Sequence, residues 1–466
     1  MIVNRIHINE MIGCRYDFSY ITYRQRMSKF KFPIVALSKL LKCQAQYGAC
    51  EAGINRNSNE IARYIRITDI TEDGLLLNNL GVTAHRIENK YILNNNDILI
   101  ARSGNTVGKS YIHKSKNINY PCFFAGYMIR FVVDETQILS DYLFVYTQLS
   151  IYKHWVKAIQ RTTGQPNINA EEYGNLPISL PTMEIQKQIV ELYTQAQEAK
   201  HTKDKDAKSL LDGIDAFILN NMGVILPSRD TYTNENTVSL SQLLGNRYDP
   251  YYHNEYFEEA FKHLKETSNY DLVRLSDISV LITSGITPKS GGDDYTDSSN
   301  GVAFIRSGNI DIMGEVDFDN LLYIKREIHE TRMKSSQVQE GDIMIAIVGA
   351  TIGQVGIYHS SYEANINQAI ALVRLKEGYN PEYIKEIINS SIGQLNLDRL
   401  KRPVARANIN LEEISTMLIP VPKIEVQNEI VKRIMSIRKQ AKQLHIEGTE
   451  MFEKAKQEIE KIILGL

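Results

Sequence analysis

The stretch NDILIARSGNTVGKSYI (Asn96 to Ile112) decides how this chain is read, because it returns 245 positions later as GDIMIAIVGATIGQVGI (Gly341 to Ile357). Outward from it the echoes keep nearly the same spacing. Arg15-Tyr16-Asp17 answers Arg247-Tyr248-Asp249, Val35-Ala36-Leu37-Ser38 answers Val273-Arg274-Leu275-Ser276, and Tyr64-Ile65-Arg66 answers Phe304-Ile305-Arg306. Asn167-Ile168-Asn169 answers Asn408-Ile409-Asn410, and Pro181, Glu184 and Gln186 answer Pro422, Glu425 and Gln427, all at 241. A period of about 241 residues is far longer than the 20–50 residues of a solenoid repeat. One whole module with its helix has been duplicated, and two similar but unequal modules imply two similar but unequal ligands.

At 466 residues, 43% of them hydrophobic, the chain is long enough for several buried cores. The longest apolar run, Ile343 to Ile352, is about half of what a bilayer span needs, and the N-terminus lacks a signal-peptide core, so a cytoplasmic protein without a membrane partner is expected. Four cysteines (Cys14, Cys43, Cys50, Cys122) all lie in the first half without counterparts in the second, which fits reduced thiols, and no His or Cys pair has zinc-site spacing. Net charge is −2, but its distribution matters more than its sum. From Arg24 to Arg66 nine basic residues face only Glu51 and Glu60, and Arg399, Lys401, Arg402 and Arg406 form a second basic cluster.

Each half reads as a mixed module of short β-rich runs, followed by a long helix that starts after a proline-containing turn. The boundaries expected are 1–183 for the first module, 184–223 for its helix, 224–424 for the second module and 425–466 for its helix. In the second helix Ile430, Ile434, Ile437, Ala441, Leu444, Gly448, Met451, Ala455 and Ile462 fall on an alternating 3,4 lattice, broken by Glu458. Ile185, Ile189, Leu192, Ala196, Ala199, Leu210 and Phe217 fall on the same lattice in the first. That pattern predicts a coiled-coil seam by which the two helices pair as a spacer.

The sequence shows no catalytic constellation. Ser103-Gly104-Asn105-Thr106-Val107-Gly108-Lys109-Ser110 has three residues between its glycines where a phosphate-binding loop needs four, and the copy at Gly349–Val355 lacks both Lys and Ser. A tight turn between strands is the expectation. Asn380-Pro381-Glu382-Tyr383 lacks the second proline of a base-flipping loop and reads as a helix cap with proline at the first helical position. What remains is polar, aromatic and basic material in the variable parts: Gln44, Gln46, Tyr47, Asn55, Arg56 and Asn57, then Thr283, Ser284, Thr287, Lys289 and Ser290. Such side chains read base edges and phosphates, and they also populate ordinary loops.

The paired Arg-Tyr-Asp openings, the Ser284-Gly285-Ile286-Thr287-Pro288 segment, the Tyr-Ile-Arg and Phe-Ile-Arg strands, the Asp-Ile-Leu-Ile and Asp-Ile-Met-Ile segments, the Asn-Ile-Asn motifs and the Pro-x-x-Glu-x-Gln helix entries together resemble the specificity (S) subunits of Type I restriction-modification systems. The resemblance covers nearly the whole chain. It implies two α+β target-recognition domains separated by two long antiparallel coiled-coil helices, each domain reading one half of a split double-stranded DNA target. It further implies two methyltransferase (M) subunits as partners, restriction (R) subunits that can join them, and no cofactor, metal or catalytic residue of the chain's own. The first module lacks the Ser-Gly-x-Thr-Pro segment. Candidate DNA contacts are Lys42, Arg56, Arg66, Arg102 and Lys109 in the first domain and Lys289, Arg306, Lys325, Arg402 and Arg406 in the second. Ile189, Leu192, Leu210, Phe217, Ile430, Ile434, Ile437, Leu444 and Met451 are the candidates for spacer and subunit docking. Two alternatives stay open: a specificity subunit of a methyltransferase-only or other phage-defence assembly, and a DNA methyltransferase with unrecognised motifs.

Overall fold

The computed structural model describes residues 29–160, 165–232, 247–289, 292–311, 314–402 and 407–466. The Arg15-Tyr16-Asp17 opening, Cys14, Arg24, Arg26 and Arg406 lie outside them. By its contacts the chain divides into one unit made of residues up to 205 with 444–466, and a second made of 206–443. The expected boundaries fall elsewhere, at the ends of the long helices, which themselves run Met183–Met222 and Ile424–Leu464.

In the first unit, strand Ile98–Ala101 is the centre of a four-stranded sheet ordered Gln46–Tyr47, Met128–Phe131, Ile98–Ala101, Ser110–Ile112. All four residues of Ile98–Ala101 are buried, because both faces are covered. The alternation of side chains then sorts them. Ile98 and Ile100 join a core with helices α1 (Ser140–Gln148) and α2 (Ser150–Ile159), which supply Tyr142, Tyr146, Tyr152 and Trp155. Leu99 turns to the opposite core, with Tyr64, Phe123 and Phe124 from a second four-stranded sheet. In that sheet Arg63–Ile65 runs parallel to Cys122–Phe124. A two-stranded pairing of Ile34–Ala36 with Pro177–Ser179 and the short helix α3 (Ala170–Gly174) close the module below α4 (Met183–Met222).

The second unit repeats this plan. Its sheet is ordered Ser279–Ser284, Ile370–Leu375, Ile343–Ala346, Val355–Ile357. Ile343 and Ile345 face one core and Met344 the other. Gly301–Ile305 runs parallel to Ala364–Ile366 in a five-stranded partner sheet. Helices α5 (Glu255–Thr267) and α6 (Arg326–Glu330) have no counterpart among the described residues of the first unit; α7 (Pro381–Asn389), α8 (Ser391–Leu400), α9 (Leu411–Ser415) and α10 (Ile424–Leu464) repeat α1 to α4.

The Pro-x-x-Glu-x-Gln motif is a buried fastening. Gln186 accepts from the Leu139 N–H (2.9 Å) and donates to the Pro181 carbonyl (3.0 Å), tying the start of α4 to the turn before α1. Gln427 accepts from the Asn380 N–H (3.0 Å) and donates to the Pro422 carbonyl (2.8 Å). The two tyrosines kept in both copies are likewise internal: Tyr142 donates to the Ser179 carbonyl and Tyr383 to the Pro420 carbonyl. Asn380 caps α7 through the Glu382 and Tyr383 N–H groups, as its proline neighbour requires.

Within the first unit α4 and α10 run antiparallel. Tyr193 meets Phe452 ring to ring (5.1 Å), Lys203 pairs with Glu447 (2.7 Å) and Asp204 with His445 (2.7 Å). A Cβ on Gly448 would meet the Lys203 Cβ at 3.3 Å and the Lys200 backbone at 3.4 Å, so glycine sits where the helices come close. The 3,4 lattice of α10 holds from Ile430 to Gly448 and then slips. Ile430, Ala441, Phe452 and Ile463 are all at most 3% exposed, eleven residues apart each time, and Met451 is 46% exposed. Met451 therefore lies off the buried seam to which the 3,4 lattice assigned it. An α-helix drifts about 20° per heptad from a 3.5-residue repeat, and an 11-residue period absorbs that drift. Ile189, Ile430, Ile434 and Ile437 are buried as seam residues, while Leu192, Leu210, Phe217 and Leu444 lie half-buried beside it; Tyr193, Ile214 and Ile218 take the centre of the α4 seam.

Candidate nucleic-acid interface

Each central sheet ends in a rim where three segments arrive side by side. In the first unit these are Tyr47 at the end of its strand, Arg102 directly after Ile98–Ala101, and Tyr127 directly before Met128–Phe131. The Arg102 N–H donates to the Tyr127 carbonyl (2.9 Å). In the second unit the same bond runs from the Ile347 N–H to the Ala369 carbonyl (2.9 Å), and Ser284 occupies the place of Tyr47 in the strand register. Glycine follows in both. A Cβ on Gly48 would lie 2.4 Å from the Ala125 carbonyl oxygen, and one on Gly285 1.7 Å from that of Ile366, so no other residue fits. Tyr47-Gly48-Ala49-Cys50 thus fills the position for which the sequence reading found no first-copy counterpart to Ser284-Gly285-Ile286.

The Asn-Ile-Asn motifs hold each rim from behind. The Ile168 N–H donates to the Arg102 carbonyl (2.9 Å) and the Ile409 N–H to the Ile347 carbonyl (3.0 Å). Asn169 and Asn410 then cap α3 and α9, accepting from the Glu172 and Glu413 N–H groups (2.8 and 2.7 Å). These backbone bonds and caps recur at both rims, while the side chains at the tips do not. The first rim carries Tyr47, Arg102 and Tyr127, with the Arg102 guanidinium 4.8 Å from the Tyr47 ring and Tyr127 69% exposed. The second carries Ser284, Ile347 and Ala369. An arginine beside an aromatic ring suits a guanine edge and its stacked neighbours; small and aliphatic tips suit methyl contact or hydroxyl bonds.

The basic candidates divide by what holds them. Arg56 is corrected: it is 3% exposed, donates to the Ile61 and Leu80 carbonyls (2.6 and 2.8 Å) and stacks on Tyr120, so its charge serves the fold. Arg63 of the same basic run is also internal, donating to both oxygens of Asn79. Arg66 grips buried Asp69 through two nitrogens (3.1 Å each), and Arg306, at the matched position, donates to Asn309 and to the Asn320 carbonyl (3.3 Å each). Arg402 is clamped by Glu413, which Arg247 also binds (3.1 Å). Lys109 pairs with Glu72 (3.0 Å). Lys42, Lys289 and Lys325 are exposed. The structure brings Arg102 and Lys109 to the two ends of the Gly104–Val107 turn, which a hydrogen bond from Val107 N–H to the Gly104 carbonyl closes.

Sequence reasoning missed Tyr127 as a candidate and named Tyr47 only as loop material. Tyr127 stands directly before a buried strand just as Arg102 stands directly after its antiparallel neighbour, and that signal was available. No group of three His, Cys, Asp or Glu residues is placed to hold a metal ion among the described residues, and none of their helices is long and apolar enough to cross a membrane. Cys43, Cys50 and Cys122 are free thiols.

A family model described as the type I restriction modification DNA specificity domain matches residues 43–207 and again 267–448, more than half of the chain. The chain belongs to this family. The specificity subunit of the type I restriction enzyme EcoBI from Escherichia coli is 36% identical over 146 residues, which span 31% of this chain and 29% of that protein's own length. The specificity subunit of the type I restriction enzyme MjaVIII from Methanocaldococcus jannaschii is 22% identical over 403 residues, 85% of this chain and 84% of that one. A chain solved in work on complex assembly and conformational transition of the type I R-M system shares the fold with a TM-score of 0.52 at 14% identity, over 94% of this chain and 98% of that one.

Proposed function

We propose that each of the two domains reads one half of a split double-stranded DNA target, and that the chain directs two methyltransferase subunits, with restriction subunits able to join, to that target in the cytoplasm. The chain itself catalyses nothing in this reading and needs no cofactor. One observation carries it: two rims with the same backbone bonds, glycine and Asn-Ile-Asn support present different tips, Tyr47, Arg102 and Tyr127 against Ser284, Ile347 and Ala369. A duplicated scaffold with unlike tips is what an asymmetric target requires, whereas a symmetric dimer reads a palindrome. In this reading the basic DNA contacts are Lys42, Arg102 and Lys109 in the first domain and Lys289, Lys325 and Arg402 in the second. Arg66 and Arg306 set the loops behind them.

The test is a methylome. The chain is co-expressed with its methyltransferase in a methylation-free host, and the DNA is read with modification-sensitive sequencing. Two short half-sites around a fixed gap, absent without the chain, are expected. Arg102→Ala should then relax one base pair of one half-site and cost about 1–3 kcal/mol, leaving the other half intact. A contiguous or palindromic motif would overturn the split-target reading.

A further inference from the structure

We propose that the first domain alone carries a lysine ledge for the DNA backbone, built from Lys109, Lys153 and Lys157; this rests on the DNA reading above. Lys153 and Lys157 lie four residues apart on α2, on one helix face, and both are exposed. With Lys109 they line a concavity of about 420 Å³ that also takes in Asn105, Thr106, Gln148 and Gln160. Among the described residues the only carboxylate lining it is Glu72. Lys109 is largely covered, at 12% exposure, whereas Glu72 is 88% exposed, so the ammonium is fixed in place and its counter-ion is free to give way. Two positive charges therefore remain unbalanced in a polar recess of a size to admit phosphate groups.

The duplication supplies an internal control. The positions of Lys109, Lys153 and Lys157 are held in the second domain by Gln354, Gln394 and Asp398. There Gln394 is turned inward, donating to the Gly353 and Ile388 carbonyls (3.1 and 3.0 Å), and Asp398 is paired with Lys401 (2.7 Å) and Arg229 (3.5 Å). The same scaffold folds without the three lysines, so the fold does not demand them. Asn105 and Thr106 belong both to the turn that follows Arg102 and to the recess, which puts the lysines one step outside the base-reading rim. Side chains at that distance meet phosphates, which fix register and carry no sequence information.

The experiment compares the assembled methyltransferase complex containing the parent chain with one containing Lys109→Gln, Lys153→Gln and Lys157→Gln together. Affinity for the cognate duplex and for a scrambled duplex is measured across a salt series. Each phosphate contact adds about 0.9 to the slope of log K against log salt, so the triple variant should lose about 2–3 from that slope, equally on both duplexes, with an unchanged methylated motif. An unchanged slope in a complex that still prefers its target overturns the ledge and leaves the DNA reading standing. Loss of one base pair of specificity also overturns it, since the lysines would then read bases. A parent complex that never prefers cognate DNA overturns the DNA reading itself.

Discussion

Arg56 shows why single residues were the least legible level. It stands in a run of nine basic residues, yet it and Arg63 face inward and hold the carbonyls of the Asn79–Leu80 turn. A charge count cannot separate a solvated guanidinium from one that satisfies buried carbonyls, because both are arginine in a polar stretch. His113 is similarly hidden: burial beside Tyr111 pushes its imidazole down to about 4. The folded state resists protonation while the unfolded chain accepts it near 6.5, so this contribution to stability is full above about pH 6.5 and is lost as the pH falls towards 4. At ~1.36 kcal/mol per unit it is worth on the order of 3 kcal/mol. Thermal melts between pH 7 and 4.5 should show the loss, and His113→Asn should flatten it. The buried Tyr193 hydroxyl has no hydrogen-bond partner among the described residues. Removing an unsatisfied buried polar group relieves its desolvation cost, so Tyr193→Phe is expected to leave the melting temperature equal or higher; a clear drop would mean that the hydroxyl has a partner.

Elements were far more legible, because periodicity and caps are local. The proline turns and the glutamine entries mark where α4 and α10 begin, whereas the short helices α3 and α9, capped by the Asn-Ile-Asn motifs, went unread because five residues carry no periodicity. The slip came where geometry accumulates: a heptad lattice carried past Gly448 lands on Met451 and Glu458, while the helix buries Phe452 and Ile459. Phe452→Ala should cost about 3–5 kcal/mol, since the ring is buried against Tyr193, whereas Met451→Ala should stay within about 0.5 kcal/mol. Equal losses would restore the heptad seam. Gln186→Leu should cost about 1–3 kcal/mol by stranding the Leu139 N–H, an effect readable in urea unfolding.

At the scale of the molecule, the duplication itself was plain in the sequence, and the offsets of 232 to 245 followed from loops of unequal length. The division into units was not legible, since nothing local marks residue 205 or 443 as a boundary. If the long helices set the gap between half-sites, the eleven-residue seam defines a clean way to change it. Twenty-two residues added after Lys205 and after Gln443 keep the seam in register and lengthen each helix by about 33 Å. That is close to one turn of B-DNA, about 34–36 Å, so the methylome should show both half-sites unchanged with the gap longer by about ten base pairs. An unaltered gap would remove the helices as the ruler.

The nesting of one unit inside the other also orders events on the ribosome. Residues 206–443 form an unbroken stretch, but the core that holds Ile189 and Tyr193 is completed only by Phe452, Ile459 and Ile463. At about 5–20 residues per second the earlier unit waits on the order of 10–50 s with that face uncovered, while the later one has all its sequence in hand. The part made first is finished last, and every chain released early by a stop codon before Phe452 leaves an open core for proteases and chaperones to find.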